Sequence, residues 1–70
     1  MAYKLTGLGD SIAYRMERSK DPESAIMVYL YTHKSDSVEI DELVGELHTT
    51  ETVVLNTIDR LVDKNYVKEI

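Results

Sequence analysis

IDELVGELHTTETVVLNTIDRLVDKNYVKEI, residues Ile40–Ile70, is the stretch that decides the fold of this chain. Leu43, Val44 and Leu47 recur at the spacing of one helical face and predict a short helix from about Asp41 to Leu47. His48-Thr49-Thr50 interrupts that spacing with polar residues, and Thr50 suits the N-cap of the helix that follows. Val54, Ile58, Leu61 and Val62 stripe this longer helix, which is predicted to run to about Lys64. Asn65 tolerates the left-handed backbone that closes a helix. Tyr66-Val67-Lys68-Glu69-Ile70 then alternates as a strand.

Short helix, tight turn, longer helix and strand, in that order, is the outline of a helix-turn-helix, which presents its second helix to a DNA major groove. Upstream, Ala2-Tyr3-Lys4-Leu5-Thr6 alternates as a short strand, and Thr6 suits the N-cap of a helix over about Gly7–Arg18. Leu8, Ile12 and Met16 predict the apolar face of that helix. Asp21 as N-cap and Pro22 at the first helical position open the next. Ala25, Ile26, Tyr29, Leu30 and His33 carry this helix to about Lys34, and Ser35-Asp36-Ser37 is a polar loop. Val38-Glu39-Ile40 alternates over a length that allows only a very short strand. The expected architecture is a single domain over residues 1–70. It is mainly α, with four helices around a helix-turn-helix core and a minimal two-stranded antiparallel sheet.

Composition limits the chemistry. The chain has 70 residues, no cysteine and two histidines, His33 and His48. A chain this short has a modest core and no disulfide or thiolate metal site to support it. Dimerisation would add stability. No nucleophile–histidine pairing, glycine-rich phosphate loop or carboxylate–histidine cluster is present, and Glu39, Asp41, Glu42 and Glu46 do not have calcium-loop spacing. The expectation is a protein that is not an enzyme, with no catalytic or metal-ligating residues and no cofactor. No apolar run is long enough to span a membrane, and no secretory pattern opens the chain. A cytoplasmic location with no membrane partner is expected.

The net charge of −5 is unevenly spread. Residues 36–51 carry Asp36, Glu39, Asp41, Glu42, Glu46 and Glu51 with no base, whereas residues 1–20 carry Lys4, Arg15, Arg18 and Lys20 against Asp10 and Glu17. Residues 52–70 set Arg60, Lys64 and Lys68 against Asp59, Asp63 and Glu69. DNA affinity rests largely on cations that neutralise phosphates. Binding by so acidic a chain therefore needs a local basic patch, a dimer or a short set of hydrogen bonds. Arg15, Arg18 and Lys20 either form a solvated helix face or join Lys4, Lys64 and Lys68 as a basic edge beside the groove.

Residues 25–70 resemble the winged helix-turn-helix domain of small prokaryotic transcription regulators. The resemblance is carried by Ile26-x-x-Tyr29-Leu30 and Val38-x-Ile40-x-x-Leu43-x-x-x-Leu47. It continues in Thr50-x-x-x-Val54-x-x-x-Ile58-x-x-Leu61-Val62-x-Lys64-Asn65-Tyr66-Val67. That family usually has glycine where this chain has Asn65. Tyr3-Lys4-Leu5-Thr6-Gly7-Leu8-Gly9 looks like the segment that follows the wing in such domains, where a returning strand ends in a Leu-Thr-x-x-Gly turn and opens a final helix. Here that segment comes first, so the order looks permuted. Strand Tyr66–Ile70 needs a partner along its edge. Tyr3–Leu5 is the natural one, from the same chain or, in a dimer, from a second.

The resemblance implies a regulator that binds double-stranded DNA through helix 51–64, as a homodimer. Helical geometry places Thr52, Asn56, Asp59 and Asp63 on the outward face of that helix, with Leu55 at its edge. Thr49, Thr50, Thr52, Asn56, Arg60, Lys64 and Lys68 are the expected DNA-binding residues. Thr50 with the helix N-terminus suits a phosphate, and Asn56 suits adenine. Glu51 repels phosphates although it can accept from cytosine. The alternative is an acidic module of the same fold that docks a protein partner without binding DNA. It is suggested by Asp59, Asp63 and an exposed Leu55. Tyr3, Leu5, Tyr14, Leu55 and Tyr66 are the expected interface residues, tyrosine joining apolar area to a polar tip.

Overall fold

The computed structural model describes all of residues 1–70. The elements are β1 (Ala2–Leu5), α1 (Gly7–Ala13), α2 (Pro22–Thr32), β2 (Val38–Glu39), α3 (Ile40–Leu47), α4 (Glu51–Asp63) and β3 (Val67–Glu69). No helix is long and apolar enough to cross a membrane. All four expected helices are present, and α2, α3 and α4 keep close to their expected bounds. The sheet has three strands rather than the expected two, in the order β2-β1-β3 with both pairings antiparallel. Val38–Glu39 supplies the extra strand, pairing Val38 with Tyr3 and Glu39 with Ala2. Ile40 opens α3 instead of extending that strand.

β1 is therefore the central strand, and its partners come from its own chain. Tyr3 faces Glu69, Lys4 faces Lys68 and Leu5 faces Val67. Of the two pairings open to Tyr3–Leu5, within the chain or with a second one, the structure shows the first.

Helix ends follow local chemistry. Thr50 Oγ1 accepts the Val53 amide at 3.3 Å and caps α4. At the other end Asn65 takes φ 64, the Asn65 amide donates to Val62 and the Tyr66 amide donates to Leu61. This double closure suits a residue that tolerates the left-handed region. His48 does the same for α3 at φ 53, with the Thr49 amide bonded to Val44 O. Pro22 occupies the first position of α2, but the Asp21 side chain makes no capping bond; Ser24 Oγ donates to Asp21 O instead.

α1 ends at Ala13, five residues short of the expected Arg18. After Met16 the sequence Glu17-Arg18-Ser19-Lys20 has nothing apolar to bury, so a further turn would gain no packing. The chain tightens through bonds from Arg15 to Ile12 and from Met16 to Ala13, then leaves the helix. The buried face is also rotated from the expected Leu8-Ile12-Met16 stripe. Gly9 and Ala13 are buried, Ile12 and Met16 are half-buried, and Leu8 is exposed. Small residues let this helix lie close to the chain beneath it.

The core is formed by Tyr3, Ala13, Ile26, Met27, Leu30, Val38, Ile40, Leu43, Val54, Ile58, Leu61 and Val67. α2 is its hub. It packs on α1, α3, α4 and β1, and is apolar around most of its circumference, as a central helix must be. The buried Thr57 keeps its hydroxyl satisfied by donating to Val53 O at 2.8 Å.

Candidate nucleic-acid interface

α3, the left-handed turn at His48 and α4 bring the amino end of α4 to the surface. Thr50 and Glu51 are exposed there, followed along the outer face by Thr52, Asn56, Asp59 and Asp63. This is the face expected from helical geometry. Leu55 is not the exposed edge residue that was expected. It is half-buried and packs on the core, while Val53 and Val62 carry the exposed apolar area of α4. Leu55 and Val62, seven residues apart, share one flank of α4, and the core covers the first and leaves the second exposed.

The expected cations divide into two groups. Arg60 and Lys64 are held by Glu23 from the first turn of α2, at 3.5 and 2.9 Å. Their hydrogen bonds and charges hold the Glu23 carboxyl below its ordinary range, the bond from Lys64 contributing most, and the same bond raises the Lys64 ammonium. Lys68 belongs to the second group. It is exposed on β3 and stands directly across from Lys4, with Glu69 and Tyr3 as the neighbouring pair. Like charges directly opposite one another weaken a strand pair.

A carboxylate whose folded pKa is lowered stabilises the fold fully above its ordinary value and loses that contribution as pH falls through the lowered one. Acidification from the ordinary value of 4.5 downward is therefore expected to cost stability at the α2–α4 contact. Glu23→Gln should flatten the acid limb of a thermal-melt pH series relative to the parent chain. Identical acid limbs would mean that Glu23 contributes nothing there.

Of the expected interface residues, Tyr3 is buried in the core, and Leu5 and Tyr66 are half-buried against it. Tyr14 is 71% exposed and meets Tyr31 edge-on, ring centroids 6.2 Å apart. Tyr29 donates to Glu42, and that bond contributes most to pushing its phenol up to about 12.

Comparison with protein-family models, curated proteins and solved structures finds no match.

One part of the surface was only partly legible in the sequence. The loop between α1 and α2 folds against the turn between α3 and α4. There Arg18, Ser19 and Lys20 share a cleft of about 430 Å³ with His48 and Thr49. Arg18 also reaches Glu46 on α3 at 3.1 Å. The clue available beforehand was the Arg15, Arg18, Lys20 cluster. Its placement beside the turn depends on where α1 stops.

Proposed function

We propose that the chain is a DNA-binding regulator of the winged-helix type that reads duplex DNA with α4. The observation that carries this reading is the outer face of the amino-terminal half of α4. Thr50, Thr52 and Asn56 are exposed in sequence along a helix that begins immediately after a tight turn from α3. A helix presented in this way fits the major groove end-first, and asparagine matches the donor–acceptor pattern of adenine.

The sheet adds support. β1 pairs between β2 and β3, an arrangement consistent with the amino-terminal strand serving as the returning wing strand of that resemblance. It sets Lys4 beside Lys68, and a phosphate next to this pair would relieve their repulsion. Within the acidic stretch Glu42 accepts from Tyr29 and Glu46 meets Arg18 in an exposed pair, while Asp36 and Asp41 make no ion pair within the chain. Glu51 remains exposed at the amino end of α4 and opposes phosphate there.

Fluorescence anisotropy with a pool of short duplexes, repeated across a salt series, tests the reading. Affinity should fall steeply and log-linearly with salt. On the best-bound sequence, Asn56→Ala should cost about 1–3 kcal/mol, while binding to unrelated duplex stays the same. No binding at low salt would end the reading.

A second reading has its own observation. Asp59 and Asp63 share the outer face with the exposed Val62, a surface suited to a basic, partly apolar protein segment. It predicts no duplex binding at any salt concentration.

A further inference from the structure

We infer that the cleft between the α1–α2 loop and the helix-turn-helix turn is a phosphate seat, and that it holds one strand of the DNA backbone while α4 lies in the groove. The inference rests on the DNA-binding reading for its ligand, and on the following geometry for its location.

Arg18 and Lys20 line the cleft from one wall, and His48 and Thr49 from the other. Most ligand pockets are predominantly apolar. In this cleft five of the eight lining residues are polar or charged, and the apolar ones are Ala25, Leu47 and the Pro22 ring. It has two cations and no carboxylate among its lining residues, although the chain as a whole carries −5. Thr49 adds a hydroxyl donor, whereas the Ser19 hydroxyl is spent on Ser24, whose own hydrogen goes to Asp21 O. Such a lining favours a compact anion over an apolar ligand.

Position then selects the anion. Thr49 is adjacent in the chain to Thr50, the residue that caps α4. An anion in the cleft would therefore lie beside the amino end of the reading helix, where a backbone phosphate flanks the groove. The one acid that reaches a lining cation is Glu46, through a pair whose side chains are 49% and 40% exposed. Exposed pairs of this kind are weak, so Arg18 is free to exchange Glu46 for a phosphate. Lys20 forms no ion pair within the chain. The loop thus adds positive charge beside the amino end of α4, whereas Arg60 and Lys64 lie toward its other end, where they share Glu23.

The test is the double substitution Arg18→Gln, Lys20→Gln. Both residues are exposed, so the fold should survive, and an unchanged circular dichroism melt would verify that. If the seat holds a DNA phosphate, the plot of log affinity against log salt should become shallower by about two, one for each cation. Affinity at low salt should also fall at least tenfold. A parent chain that binds duplex, with a variant of equal affinity and equal slope, would overturn the seat while leaving the DNA reading in place.

Should the parent chain bind no duplex, the DNA reading falls and with it the assignment of the seat to a DNA strand. The cleft itself is then judged by titrating both proteins with pyrophosphate while following backbone amide resonances. Shifts at Ser19, Lys20, His48 and Thr49 that are lost in the variant would retain an anion seat. No shifts at those amides would overturn it.

Discussion

Gly9→Ala is expected to cost about 3 kcal/mol or more, against a total stability on the order of 4–10 kcal/mol for a chain of this size. Alanine in place of a helical glycine ordinarily adds stability. Here the sign is reversed by what lies beneath the helix. A Cβ at Gly9 would come within 1.8 Å of the Tyr66 carbonyl oxygen, and that atom belongs to backbone held on both sides. Tyr66 O accepts from the Thr6 amide at 3.0 Å, and the Tyr66 amide donates to Leu61 as part of the closure of α4. Thr6 Oγ1 accepts the Gly9 amide at 3.0 Å and donates to Asn65 O at 2.6 Å. Neither partner can yield without loosening the start of α1 or the end of α4.

The contrast is Gly45, in the middle of α3, where an added Cβ meets nothing within 4 Å. Gly45→Ala should gain about 0.5–1 kcal/mol. Urea denaturation of the two variants beside the parent chain gives both values. A Gly9→Ala protein as stable as its parent would mean that α1 does not rest on the exit from α4.

Removing residues 1–5 is expected to abolish cooperative folding. β2 and β3 each pair only with β1, so the deletion removes the whole sheet and not one third of it. It also takes Tyr3 out of the core and uncovers Val38 and Val67, which are 1% and 2% exposed in the intact fold. Loss of a large buried aromatic alone costs about 3–5 kcal/mol, comparable to the entire stability of so short a chain. The truncated protein should show no sharp thermal transition and poor amide dispersion in NMR spectra, and its two unpaired strand segments should make it prone to aggregate. A truncated chain that melted cooperatively near the parent temperature would show that β1 is dispensable.

Residues near one another in sequence were the readable ones. The caps Thr6 and Thr50, the left-handed Asn65 and the stripe Val54-Ile58-Leu61 depend on neighbours within a few positions, and the structure follows them. What escaped depended on distant contacts. A hydrophobic stripe counts side chains and cannot register a backbone lying close enough to demand glycine, so Leu8 was chosen over Gly9 and Ala13. Leu55 was placed at the exposed edge of α4, and it is half-buried because the core reaches that flank from other elements. Arg60 and Lys64 looked free because Glu23, which holds them, lies in another helix. The expected face of Thr52 and Asn56 is exposed, whereas the grouping of Arg18 and Lys20 with the turn awaited the end of α1.

The central place of β1 also orders events in time. Each helix closes through bonds between residues three or four apart, so any of them can begin to wind as soon as its own segment exists. The sheet has no such local start. β1 precedes both of its partners in the chain, and the bond from Thr6 to Asn65 that anchors its far end spans 59 residues. Bringing those ends together restricts nearly the whole chain in a single step, an entropic cost that must be met before the contacts form. In a molecule made mostly of local helices, the slowest event is thus expected to be the docking of a four-residue strand that waits for the rest of the chain to reach it.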